Sequence, residues 1–182
     1  TPLSRLRARL EVTLLERPDA TRYAEALAET IAEADQLLGT FNALLSIAEA
    51  ESGARRDTMA EVELDEIARS VADLYEPVAE EKEIKLTLEI ASPAPVRGDR
   101  HLLSQVIANL LDNALKYTLA GEVRLNVRHA AEGQIQIEIA DTGPGVPADH
   151  REHVFDRFFR LENSRSTPGN GLGLSLVRAV AT

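Results

Sequence analysis

Three short segments hold the residue types that handle phosphate and nucleotides. In Asn109-Leu110-Leu111-Asp112-Asn113-Ala114-Leu115-Lys116-Tyr117 the two asparagines stand four apart, with Lys116 and Tyr117 three and four beyond Asn113. On a helix that spacing puts all four on one face. An amide oxygen suits Mg²⁺ when the phosphates supply most of the compensating charge, and Lys116 offers those phosphates a point charge. Taken alone, the segment equally describes the polar stripe of an amphipathic helix. Asp141-Thr142-Gly143-Pro144-Gly145 offers a carboxylate that can accept from an exocyclic amine such as that of adenine, beside two glycines that admit a ligand closely. A plain Gly-Pro turn is the alternative. Gly169-Asn170-Gly171-Leu172-Gly173-Leu174 runs into a helix start, joining backbone N–H donors, missing Cβ atoms and a positive helix end for phosphate oxygens. It has neither the Lys-Ser/Thr ending of a P-loop nor the Rossmann glycine spacing. A linker is the rival, but apolar Leu172, Leu174, Leu176 and Val177 fit a linker poorly.

The elements that must position these segments follow from periodicity. Leu3, Leu6, Leu10 and Leu14 predict a first helix, and Pro18-Asp19 interrupt it. In a second, longer helix Leu27, Ile31, Ala34, Leu38, Phe41, Leu45 and Ala48 step by four and three, the spacing of a coiled-coil or bundle seam. The lengths are mismatched and a two-helix hairpin encloses no core, so a symmetric dimer forming a four-helix bundle is expected, with packing onto the rest of the same chain as the alternative. Glu51 to Asp57 is polar and reads as a hinge. Leu64 to Lys82 is helical, and Ile84, Leu86, Leu88 and Ile90 alternate as a strand that Pro93 and Pro95 close. Asp99 stands as the N-cap of a helix reaching about Tyr117. Val123/Leu125/Val127 and Ile135/Ile137/Ile139 predict an antiparallel pair joined at Gly133, apolar on one face and covered there by helices. A last helix begins near Leu172. The fold class is α+β: a helical hairpin over 1–54, then an α/β sandwich over 60–182.

The 182 residues carry 44% hydrophobic content, enough for a globular core. A net charge of −10 repels nucleic-acid phosphates, which argues against DNA or RNA as a ligand but not against a nucleotide neutralised locally by Mg²⁺ and N–H groups. There is no cysteine, hence no disulfide and no thiolate metal site. No apolar run approaches the roughly 20 residues that span a bilayer. The chain as given is expected to be soluble and to make no membrane contact.

The ordered set NLLDNALKYT, DTGPG, FDRFF and GNGLGL resembles the N, G1, F and G2 boxes of bacterial sensor histidine kinases, whose ATPase superfamily includes gyrase, Hsp90 and MutL. The likeness covers nearly the whole chain, since LLGTFNALLSIAEAESG is similar to the second helix of the family's dimerisation domain. Thr1-Pro2-Leu3 resembles the end of its His-x-x-x-Thr-Pro-Leu acceptor motif.

The resemblance implies ATP and Mg²⁺ as ligands, with Asn113 on the metal, Asp141 on the adenine amine, and Asn109, Lys116, Tyr117 and Arg160 at the nucleotide. Gly143, Gly145, Gly169, Gly171, Leu172, Gly173 and Leu174 would shape the pocket and a mobile lid over 161–170, with Phe155 and Phe158 at its root. It implies γ-phosphoryl transfer to a histidine, relay to a response-regulator aspartate, a homodimer through residues 1–52, and a cytoplasmic position below an inner-membrane anchor in the full-length protein. His101, His129, His150 and His153 stand in no acceptor context. The acceptor is expected four residues before Thr1, so this chain should bind ATP without phosphorylating itself, while Thr1 takes the position that serves dephosphorylation of the partner. By the same resemblance Thr182 is expected to fall within the last helix, ahead of the family's closing strand pair. The superfamily's ATPases carry a glutamate base where Asn109 stands, and an amide cannot take a proton, which favours a kinase over a mechanical ATPase. A nucleotide-sensing dimer scaffold without catalysis is the reading from another class.

Overall fold

A computed structural model describes residues 2–16, 19–52, 59–161 and 169–181. The chain forms two compact units, Thr1–Leu45 and Ser46–Thr182.

The first unit contains α1 (Pro2–Glu16) and the greater part of α2 (Ala20–Ser52). Asp19 caps α2, its carboxylate accepting from the Arg22 N–H at 2.9 Å, which is why the helix restarts directly after Pro18. Arg9 and Glu29 pair between the helices. The half-buried stripe of α2 runs through Tyr23, Ala26, Thr30, Ala34, Leu37 and Thr40. Most of the heptad seam lies beside that stripe and faces outward: Leu27, Ile31, Leu38, Phe41 and Leu45 are 48–63% exposed.

In the second unit, Ser46 and Ile47 near the end of α2 are buried, and Glu51 presents both carboxylate oxygens to Arg157 Nη2 at 2.5 Å. Then follow β1 (Ala60–Glu63), α3 (Leu64–Glu81), β2 (Ile84–Ile90), β3 (Pro95–Gly98), α4 (Arg100–Tyr117), β4 (Gly121–His129), β5 (Ile135–Asp141) and α5 (Gly173–Ala181). The main sheet has the order β2-β4-β5. β4 and β5 are antiparallel with Val123 opposite Asp141, as their alternation predicts. β2 runs parallel to β4, the crossover passing through β3 and α4. The helices α3 and α4 cover one face, where Ile67, Ala68, Ile107, Leu111, Leu115, Val123, Leu125 and Val127 are fully or almost fully buried. The other face carries the pairs Arg124–Glu122 and Arg128–Glu138.

One expectation needs correction. Pro95 does not close a strand; it opens β3, which pairs antiparallel with β1, Glu63 opposite Pro95 and Ala60 opposite Gly98. Four residues are too few to show alternation, and a first-position proline gives up no ladder bond that the strand needs. Asp99 is the cap expected, its carboxylate accepting from the N–H groups of His101 and Leu102 at 2.9 and 3.0 Å.

Buried Asp65, in the first turn of α3, accepts from the Ala94 N–H at 3.2 Å, while the Leu64 N–H donates to the Ala94 carbonyl at 2.9 Å. A hydrogen bond from Ser92 outweighs the opposing effect of burial and, with the Ala94 N–H and Arg69, holds the Asp65 carboxyl below the usual carboxylate range. A depressed folded-state pKa stabilises the fold above the unfolded value and loses that contribution as pH falls through the folded one. Asp65→Asn should therefore lower the melting temperature at neutral pH, and the difference from wild type should narrow as the pH falls below about 4. A difference that stays constant across that range would refute this.

Candidate functional site

The α4 helix forms because Ile107, Leu111, Ala114 and Leu115 recur on its core side. Its other side holds Asn109, Asn113, Lys116 and Tyr117, all half-buried and on the face expected. The Lys116 ammonium sits 5.2 Å from the centroid of the Tyr117 ring.

The other two segments meet this face. At the end of β5, Asp141 Oδ1 accepts from the Gly143 N–H at 2.9 Å, which closes a tight turn. A Cβ on Gly143 would lie 3.0 Å from the Tyr117 carbonyl oxygen and 2.7 Å from Asp141 Oδ1, so only glycine lets this turn rest on the end of α4. At the start of α5, a Cβ on Gly173 would stand 3.4 Å from Asn109 Oδ1, and one on Gly169 would stand 2.7 Å from Lys116 Nζ. The glycine-rich turn thus runs along α4 from Lys116 to Asn109. Leu172 is fully buried, its N–H bonded to Asn170 Oδ1 at 3.2 Å and its carbonyl accepting from Ser175 Oγ at 2.8 Å, so it anchors the helix start. Leu174 is half-buried beside it, and Gly145 lies in a left-handed conformation with open space around it.

Phe158 adopts a left-handed φ of 65°, its N–H donates to the Gly171 carbonyl at 2.9 Å, and Arg160 Nη1 donates to the Gly169 carbonyl at 2.8 Å. These bonds join the two ends of the segment expected to be a lid, whose residues 162–168 lie outside the described residues, as does Thr1. Phe155 and Phe158 are 38% and 56% exposed, so neither is an ordinary core aromatic. Among the described residues the Phe159 ring lies 5.7 Å from that of His150 and 6.0 Å from that of His153. Sequence reasoning passed over Phe159, Thr142 and Gly121. The φ of 116° at Gly121 is its one conspicuous signal, and that signal is structural.

A helix-covered mixed sheet with a carboxylate turn, a polar helix face and a glycine-rich helix start brought together defines an ATPase-type catalytic domain. Residues 98–182 match the family described as histidine kinase-, DNA gyrase B- and HSP90-like ATPase. The adaptive-response sensory kinase SasA of Crocosphaera subtropica is 38% identical over 122 residues, 66% of this chain and 32% of SasA. The mycobacterial sensor histidine kinase MprB is 33% identical with a TM-score of 0.57, over 67% of this chain and 77% of the MprB structure. Full-length ShkA, crystallised in complex with AMPPNP, is also 33% identical, with a TM-score of 0.74 over 92% of this chain and 35% of ShkA. The chain belongs to the bacterial sensor histidine kinases. It spans about a third of the length of the curated relatives it matches.

Proposed function

We propose that the second unit binds Mg-ATP on the polar face of α4 and, in the whole protein, transfers the γ-phosphoryl group to a histidine on the helical hairpin, for relay to a response-regulator aspartate. The observation that carries this reading is the glycine turn lying along α4 between Lys116 and Asn109. Phosphates held there meet backbone N–H groups, the N-terminal end of α5 and the Lys116 ammonium together. Asp141 takes the adenine amine. Tyr117 and Arg160 bound the nucleotide, Arg160 from the lid root.

Asn113 fits Mg²⁺ in this setting. Among the described residues no group of three or more His, Cys, Asp or Glu is placed to hold a metal ion, so the remaining ligands would be phosphate oxygens and water. The ion supplies charge neutralisation for the γ-phosphate. The rest of the chemistry is positioning: the γ-phosphorus–oxygen bond to ADP breaks as a phosphorus–nitrogen bond to the imidazole forms in line. Asn109, on the same face, orients the phosphates and has no basic oxygen with which to activate water.

The hairpin forms the homodimer. The exposed seam of Leu27, Ile31, Leu38, Phe41 and Leu45, with Leu3, Val12 and Leu14 of α1 also exposed, is the surface that a four-helix bundle buries. Residues 1–54 and 60–182 are the two functional parts, and Thr1 serves dephosphorylation of the regulator. Among the described residues no helix is long and apolar enough to cross a membrane. We assign this part to the cytoplasm and the anchor to the full-length protein.

The full-length protein incubated with γ-labelled Mg-ATP should acquire an acid-labile, base-stable phosphate, and Asn109→Ala should lower that rate by about a hundredfold or more. The present chain alone should take up none. A full-length protein that binds ATP and never becomes labelled would favour the scaffold reading.

A further inference from the structure

Thr142 follows the carboxylate assigned to adenine, and its side chain does not reach toward the nucleotide face of α4. Its hydroxyl is engaged with the start of β4: Oγ1 accepts from the Glu122 N–H at 3.0 Å and lies 3.3 Å from the carbonyl oxygens of both Ala120 and Glu122, either of which can take its proton. The Thr142 N–H in turn donates to the Glu122 carbonyl at 3.1 Å. Beneath the hydroxyl is Gly121, in a left-handed conformation with φ of 116°, where an added Cβ would stand 2.2 Å from Thr142 Oγ1. The missing side chain of Gly121 is therefore the socket that the hydroxyl fills. This contact lies one step beyond the last sheet pair, Val123 opposite Asp141.

Asp141 is thus held from both sides. On one side Gly143 rests against the Tyr117 carbonyl and its N–H occupies Asp141 Oδ1, which leaves Oδ2 for a ligand amine. On the other, the Thr142 hydroxyl and N–H tie the turn to Glu122. We propose that Thr142 is a positioning residue of the nucleotide site: its hydroxyl, socketed on Gly121, fixes the Asp141 carboxylate where it recognises the exocyclic amine of the base. The inference rests on the reading of Asp141 as the adenine contact given above. Thr142 is exposed and outside the core, so removing its hydroxyl leaves Glu122 to bond water and spares the fold. What it removes is the constraint on where Asp141 points.

The test compares a non-hydrolysable ATP analogue with the corresponding inosine nucleotide, which has a carbonyl where adenine has its amine, by calorimetry in the presence of Mg²⁺. Wild type should prefer the adenine nucleotide. Thr142→Val should weaken adenine-nucleotide binding about tenfold and inosine-nucleotide binding less than about twofold, with a melting temperature within about 3 °C of wild type. Thr142→Ser, which keeps the hydroxyl, should restore the preference. Thr142→Ala, which removes the hydroxyl and leaves a smaller side chain at an exposed position, should lose it as well, and decides the matter should Thr142→Val fail to fold. Variants that lose the hydroxyl and yet retain the wild-type preference, or that weaken both nucleotides alike, would overturn the role of Thr142 while leaving Asp141 in place. A wild type that does not distinguish the two nucleotides would overturn the Asp141 reading and this inference with it.

Discussion

Asp141→Ala is expected to weaken binding of an ATP analogue by roughly thirty- to a hundred-and-fiftyfold, the loss of one charge-assisted hydrogen bond at about 2–3 kcal/mol. Asp141 is exposed at the end of β5, and its internal bond is to the Gly143 N–H, so truncation removes a ligand contact and one turn bond without opening the core. The melting temperature should move by only a few degrees. The inosine nucleotide supplies the internal control, because it has no amine to lose: its affinity should be nearly the same for variant and wild type. An Asp141→Ala protein that binds the adenine nucleotide normally would place the base elsewhere.

The second large effect is expected at Gly171. Its φ is 69°, and a methyl group there would stand 2.8 Å from the Phe159 carbonyl oxygen and 2.9 and 3.0 Å from the carbonyl carbon and Cα of Phe158. These are backbone atoms that cannot rotate away. Gly171→Ala combines the left-handed penalty of about 1–2 kcal/mol with overpacking of about 1–3 kcal/mol, so a loss of about 2–5 kcal/mol and a fall in melting temperature on the order of 10 °C are expected. Relief of the clash moves the start of α5 away from Phe158, and with it the turn beside Asn109, so nucleotide affinity should fall as well. Gly145→Ala is the comparison. Gly145 has a similar φ of 70° but nothing within 4 Å of the added methyl group. It should cost only the backbone term of about 1–2 kcal/mol, and equal losses at the two positions would rule out the contact with Phe158 as the cause.

These two glycines also mark what could be read from the chain alone. The long elements were legible because burial imposes a period: α4 repeats Ile107, Leu111, Ala114 and Leu115 in the core, and β4 and β5 alternate over enough residues to predict their pairing. Asp99 announced α4 because a carboxylate is the cheapest partner for two unpaired N–H groups. The strands β1 and β3 escaped notice, being four residues each and opened in one case by proline. The parallel pairing of β2 with β4 is a matter of crossover, which alternation does not encode.

The heptad seam of α2 was found by its spacing, and most of it faces outward rather than toward α1. That outcome is what a surface reserved for a second copy would show. At the site, the polar face of α4 and the carboxylate turn were visible as residue types at set spacings. Which glycine faces what was not visible. Gly171 serves the Phe158–Phe159 backbone, Gly173 the Asn109 amide and Gly121 the Thr142 hydroxyl, and each assignment requires two segments far apart in sequence to be placed together.

Calorimetric titration of the folded chain with a non-hydrolysable ATP analogue, with Mg²⁺ and then with the metal chelated, tests the central claim most directly. One saturable site per chain, weakened several-fold by chelation and again by Asn113→Ala, is the predicted result. A chain that is folded by circular dichroism and shows no binding heat and no thermal shift at millimolar nucleotide, about −4 kcal/mol at best, would contradict it.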